Sequence, residues 1–181
     1  MSRQYKLDGK VKVIEPMFDE DGLNNSMQIL CGLGSPDNSI ISLELQKKQP
    51  QAVKYTGHTG EVTSITDLHN SHFVSTGDDG MVMIWHKSKQ LSVSKTQAHK
   101  KKINSHAILN NLNTLVTGSD DHSLNVYDIS KRELFLKNTL KEQSPVTMVK
   151  AFYGNCKFVI SCQVTGVIRV WNVDDGEYDI L

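Results

Sequence analysis

Charge of one sign is missing from this chain as a whole. The 20 Lys and Arg are matched by 20 Asp and Glu, so no global field points to nucleic acid or to an anionic membrane. Cysteine is scarce: Cys31, Cys156 and Cys162 are odd in number and lack a CxxC spacing. That fits free thiols in a reducing compartment, cytosol or nucleus, better than a disulfide framework. Apolar runs stop far short of the ~18 residues of a spanning helix, and the N-terminal MSRQYKLDGKVKV lacks the apolar core of a signal peptide, so no membrane segment is expected. The sequon Asn24-Asn25-Ser26 is therefore expected to be silent. A Walker loop, a dinucleotide fingerprint and an HExxH are all absent, which leaves no motif for a phosphate, a nucleotide cofactor or a catalytic zinc.

What is present is a repeat. His58 to His99 spans 41 residues, while Asp79 to Asp121 and Trp85 to Tyr127 each span 42. Self-similarity at that interval points to a propeller or solenoid. Within the best unit, Gly57 to Trp85, three short β-branched or aromatic runs (around Val62 and Ile65, Phe73 to Thr76, Met81 to Trp85) are separated by Gly and Asp, and a fourth run follows at Leu91 to Ser94. No 3.6-residue apolar period persists, so these read as strands of one four-stranded sheet, with Asp78-Asp79-Gly80 as a hairpin turn.

A Gly-His pair, a turn containing Asp and a closing Trp resemble the WD-repeat (WD40) family of β-propellers. The resemblance implies an all-β fold: β-propeller blades of four-stranded antiparallel sheets, about four WD repeats in one segment over residues 1–181, a partial propeller or half-ring. The blades fall near residues 7–55, 57–96, 98–139 and 142–181, the first and last degenerate. It also implies a hydrogen-bonded tetrad in each complete blade. The matching positions are His58, Ser75, Asp79 and Trp85 in the second, and His99, Thr117, Asp121 and Tyr127 in the third, where loss of the indole N–H weakens the staple by about 1 kcal/mol.

In the first unit Leu7 stands at the His position and Leu43 near the Trp position, and an acidic loop, Asp19-Glu20-Asp21, is longer than its counterparts. In the fourth, Glu142 replaces His and Thr165 replaces Asp, while Ser161 and Trp171 remain. Removing both members of a buried pair is coherent, so His58→Ala is expected to cost far more stability, about 1–3 kcal/mol, than Glu142→Ala.

Ser75, His58 and Asp79 are the side chains of a nucleophilic triad, but the repeat assigns each a structural place, and no catalytic residue is assigned. His69 and His72, or Cys156 and Cys162, offer too few ligands for a metal. One stretch is unusual: between Asp79 and Asp120 there is no Asp or Glu, while Lys87, Lys89, Lys95, Lys100, Lys101 and Lys102 supply positive charge. A solubilising face is one reading, and a docking patch for an acidic protein or peptide or a phosphate-bearing partner is the other. Aromatic interleaving for nucleic acid is missing.

Propellers of this family commonly hold peptides with the residue before each inner strand and the head of the Asp turn, which here means Glu61 and Gly77, Lys102 and Ser119, Pro145 and Gln163. With Lys100 and Lys101 these are the candidate partner-binding residues. The function expected is a non-catalytic scaffold or recognition module for protein partners. The alternative is the substrate-recognition or sensor portion of a larger enzyme, a ubiquitin-ligase receptor or signalling NTPase. Because rings of the family usually need more than four blades, self-association or a longer chain or complex is expected to complete this one.

Overall fold

The computed structural model describes residues 6–17, 28–45, 52–69, 71–109, 113–152, 154 and 157–180. The acidic loop at Asp19 to Asp21, the sequon, Arg3, Asn70 and Cys156 lie outside them. Sixteen strands form four antiparallel sheets, each made of four strands in chain order. The first holds β1 (Val11–Met17), β2 (Gln28–Leu33), β3 (Ile40–Glu44) and β4 (Ala52–Tyr55); the second β5 (Val62–Asp67), β6 (His72–Gly77), β7 (Met81–His86) and β8 (Ser92–Gln97). The third holds β9 (Ile103–Ile108), β10 (Thr114–Ser119), β11 (Ser123–Asp128) and β12 (Phe135–Lys141); the fourth β13 (Val146–Ala151), β14 (Phe158–Gln163), β15 (Ile168–Asn172) and β16 (Tyr178–Ile180). The first strands of successive sheets, β1, β5, β9 and β13, pack in that order. The assembly is a partial, unclosed propeller.

Residue type follows depth. Middle strands lie between neighbouring sheets, so β7 is a continuous apolar run, Met81 to Trp85, with Val82 to Trp85 buried, whereas the rim strand β8 alternates between half-buried and exposed positions. Three apolar clusters fill the three seams. Leu30, Ile40 and Tyr55 meet Val62, Phe73 and Trp85; Val74, Val82 and Ile84 meet Ile103, Leu115 and Tyr127; Val116, Leu124 and Leu140 meet Val146, Val159 and Trp171. Approach is close enough at the third seam that a Cβ on Gly118 would stand 2.5 Å from Val149 and 2.6 Å from Val146. Gly80 turns with φ +72, a conformation that costs glycine little; His122 holds the same place in the third sheet at φ 65.

In the sequence, the run Glu133 to Lys137 is expected as the rim strand of the third sheet; the structure places that strand at Phe135–Lys141. It runs four residues further, because Leu140 is buried in the seam and the ladder opposite β11 continues through Asn138 and Thr139 to Lys141 despite their polar side chains. The rim strand of the second sheet, Ser92–Gln97, ends within one residue of the expected blade limit at Thr96.

The second seam also holds a buried polar bridge beside its apolar cluster. His106 on β9 is buried and its ring bridges two hydroxyls of the preceding sheet, Nε2 lying 2.9 Å from Thr66 Oγ1 and Nδ1 3.1 Å from Thr76 Oγ1. Burial, with a smaller contribution from the Lys150 ammonium, pushes its pKa down to about 4. A neutral ring can donate from one nitrogen and accept at the other, which suits two hydroxyls; an imidazolium cannot accept. Because the folded value lies below the ordinary one, the stability this ring contributes is fully present above pH 6.5 and is lost as pH falls from there toward 4. We expect the loss to approach about 3 kcal/mol. Urea melts of the wild type and of His106→Gln at stepped pH should diverge over that interval; parallel pH dependence in the two proteins would contradict the assignment.

Candidate interaction surface and the staples that hold it

Two loop sets meet at one end of the sheets: the segments that precede β5, β9 and β13, and the turns from β6 to β7, β10 to β11 and β14 to β15. Buried polar chains tie them together. In the second sheet His58 Nδ1 stands 3.0 and 3.1 Å from the two Asp79 oxygens, Nε2 is 2.8 Å from Ser75 Oγ, and the Trp85 indole donates to Ser75 Oγ at 2.8 Å. With the Nδ1 proton directed at the carboxylate, Nε2 accepts from the Ser75 hydroxyl, whose oxygen then accepts from the indole. Asp79 also accepts from the amides of Thr59 at 2.8 Å and Met81 at 3.0 Å. Burial opposes its ionisation, yet these hydrogen bonds and the His58 contact leave its pKa below the usual carboxylate value.

The third sheet repeats the arrangement. His99 Nδ1 is 3.1 Å from both Asp121 oxygens and Nε2 is 2.8 Å from Thr117 Oγ1. Burial is the larger influence on His99 and holds its pKa below the ordinary histidine value despite Asp121. Asp121 is further held by the Ser123 hydroxyl at 2.6 Å and the Lys100 amide at 3.1 Å. Tyr127 is buried among the apolar residues of the second seam.

The fourth sheet departs from the sequence expectation. Glu142 is no simple loss: its buried carboxylate sits where the imidazole would, accepting from the Ser161 hydroxyl at 2.5 Å, the Trp171 indole at 3.1 Å, the Gln163 amide at 2.5 Å and the Arg169 guanidinium. Trp171 still donates to Ser161 at 2.9 Å. The partner that sequence reasoning missed is Arg169, 3% exposed, with Tyr178 stacked 4.5 Å from its guanidinium carbon. The available signal was a lone arginine in a strand position facing the Ser and Trp of the staple. In the first sheet the polar chain gives way to apolar side chains, with buried Cys31 and Leu43 at the register positions of Ser75 and Trp85. Burial pushes the Cys31 thiol pKa up.

Of the candidate contact residues, Lys100 and Lys101 are exposed and Glu61, Lys102 and Pro145 are half-buried. Glu61 pairs with Lys12 at 2.6 Å. Gly77, Ser119 and Gln163 are buried, and the last two are engaged with the Asp121 amide and with Glu142 and Ser144. They shape the turns beneath this surface rather than forming it. The Ser75 and Thr117 hydroxyls are fully buried, which leaves neither constellation open to a substrate. His72 faces His86 across the ladder, ring centroids 4.8 Å apart, and among the described residues no group of three or more side chains could hold a metal ion. Nor is any helix there long and apolar enough to cross a membrane.

The Glu142 network reverses the expected ranking of substitutions. Glu142→Ala strands a buried guanidinium and should cost about 3–5 kcal/mol, whereas His58→Ala, which leaves a hydroxyl and a carboxylate near the turn, should cost about 1–3 kcal/mol. Denaturant melts of the two variants provide the comparison; a Glu142→Ala protein as stable as the wild type would show that the network is not formed.

Comparison with known proteins places this geometry. A family model described as WD domain, G-beta repeat, matches residues 49–86 and 90–128. Similar curated proteins include a p21-activated protein kinase-interacting protein 1-like of Danio rerio, 24% identical over 143 residues that make up 75% of this chain and 38% of that protein. A 66 kDa stress protein of Physarum polycephalum is 32% identical over 112 residues, 59% of this chain and 18% of its own length. Pre-mRNA-processing factor 19 homolog 2 of Arabidopsis thaliana is 34% identical over 68 residues, 38% of this chain and 12% of its own. The chain thus spans well under half the length of these relatives. With the staples of the second and third sheets lying largely within the matched residues, the chain carries a WD40 domain over residues 49–128, set in four sheets with the architecture of WD-repeat blades.

Proposed function

We propose that the chain is a non-catalytic recognition scaffold that binds acidic segments of protein partners at the corner formed by Lys100, Lys101 and Lys102. The WD40 architecture fits a protein-interaction scaffold, and one similar protein is named for its interaction with a kinase. The observation that carries the reading is local. The backbone of this loop is pinned, with Lys101 O accepting from Ser119 Oγ at 3.4 Å and Lys102 O from the Asp120 amide at 3.0 Å, while the side chains of Lys100 and Lys101 point to solvent in a stretch without a single carboxylate between Asp79 and Asp120. The site is proposed to work in the cytosol or nucleus. The alternative, a recognition or sensor portion of a larger enzyme, uses the same surface and differs in what else the polypeptide carries.

The open face of the fourth sheet is the second element of this proposal. Ile160, Cys162, Ile168 and Val170 occupy the register positions of Val74, Thr76, Val82 and Ile84, which the next sheet covers in the second seam. In the fourth sheet Ile168 is 37% and Met148 47% exposed. Apolar patches of this kind mark association surfaces, and the reading is that another blade, from a second copy or a longer chain or complex, covers them.

Replacing the three corner lysines by serine should weaken capture of acidic partners, and capture by the wild type should fall with salt, since exposed charges are screened over a Debye length of about 8 Å at physiological ionic strength. Recovery of the same partners in the same amounts by the mutant would reduce the corner to a solvated edge. Light scattering on the purified chain should show association. A dilution-resistant monomer that melts cooperatively and binds no hydrophobic dye would remove the open-face reading.

A further inference from the structure

Two of the three seams are plugged at the rim, and the middle one is not. Tyr55, Thr96 and Leu140 hold the same register position, opposite Ile40, Val82 and Leu124 respectively. Tyr55 is buried edge-on against Phe73 and Trp85, centroids 5.0 and 5.9 Å apart, and Leu140 is buried with Val159 and Trp171. Thr96 is too short to reach across, and the facing ring is Tyr127 where the other two seams present Trp85 and Trp171. Both sides of this seam are therefore cut back, and an open slot of about 530 Å³ lies beside it, lined by Gln97, Lys100, Asn125, Leu136, Thr139 and Lys141 among others.

The slot is built for a polar chain with a negative end. Asn125, at the register position of buried Met83, is fixed by donating to Ala98 O at 2.6 Å and accepting from the Thr139 hydroxyl at 2.7 Å. At one end Leu136 is 49% exposed; at the other stand the exposed Lys100 and Lys141. The one carboxylate in the lining, Asp121, already accepts from Ser123, His99 and the Lys100 amide. Beside the slot runs β12, seven residues long, whose outer edge pairs with no strand among the described residues. Leu136, Thr139 and Lys141 pair with Tyr127, Asn125 and Ser123, and a bulge between Val126 and Tyr127 brings all three onto the slot side.

We propose that the free edge of β12 and this slot receive an extended acidic segment of a protein partner, which adds as a fifth strand, lays an apolar side chain on Leu136 and sets a carboxylate between Lys100 and Lys141. Strand addition supplies main-chain hydrogen bonds, and the alternate side chains supply selectivity. The two recognised side chains stand four residues apart in the ligand, the spacing of Tyr127 and Ser123 across the ladder. This rests on the interaction-scaffold reading and shares Lys100 with the lysine corner, but its other contacts lie on the side of the propeller, so Lys141 on the slot and Lys101 on the corner separate the two by mutation.

The test is selection of a random peptide library of about nine residues, a usual strand length, on the full chain. Enriched peptides should carry an apolar residue and an Asp or Glu four positions apart. A synthetic copy should lose roughly tenfold in affinity on Lys141→Glu and on Thr96→Tyr, which plugs the seam as Tyr55 does, while Lys101→Ser at the corner leaves binding nearly unchanged. Circular dichroism establishes that each variant is folded; should Thr96→Tyr fail to fold, the exposed Lys141→Glu decides alone. No enrichment, or peptides that bind both slot variants as they bind the wild type, overturns the proposal. So does an oligothymidylate that displaces the peptide equally well, which would make phosphate the ligand. Loss of binding on Lys101→Ser alone would place the peptide on the corner and leave the scaffold reading standing.

Discussion

Each sheet in this molecule carries apolar side chains on its faces, and a sheet can cover neither face by itself; three seams between four sheets do the covering. That constraint places apolar residues on both sides of the middle strands, sets the 41- to 42-residue interval at which the pattern returns, and makes each seam the shared property of two repeats. Closing the seams buries the polar turns between strands as well, so each repeat needs an internal answer for donors and acceptors that can no longer reach solvent. The four sheets give three different answers to one demand: histidine with aspartate twice, glutamate with arginine once, and apolar replacement in the first sheet.

The regular part of this design was legible in the sequence because it is periodic. Val62, Phe73 and Met81 to Trp85 announce strands through β-branched and aromatic runs, and Gly80 announces the turn, so four-stranded sheets follow from spacing, while the roles of His58, Ser75, Asp79 and Trp85 come from the resemblance to WD repeats. Features that depend on a neighbouring repeat were not legible. The reach of β12 to Lys141 is set by Leu140 entering the third seam, and the buried state of Gly77, Ser119 and Gln163 by turns folding over them. Arg169 sits 27 residues beyond Glu142, and no local pattern joins them.

Variation among seams carries more functional information than their common plan. Identical seams would give identical surfaces, and partners could not tell one blade from the next. Exchanges such as Thr96 against Tyr55 and Leu140, or Asn125 against Met83, leave the ladder intact and alter only what the rim presents. A repeat fold thereby separates the residues that keep it folded from those free to differ.

The glutamate-arginine staple also bears on the order in which the fourth sheet assembles. Glu142 enters the chain before β13, while its guanidinium partner lies on β15 and the ring that covers that partner on β16. Until those late strands arrive, water is the better solvent for the carboxylate, and drawing it inward meets an electrostatic penalty with nothing to offset it. The ion pair therefore makes the burial of Glu142 depend on β15 and β16, so the entry and the exit of the fourth sheet stabilise one another although they are far apart in the chain.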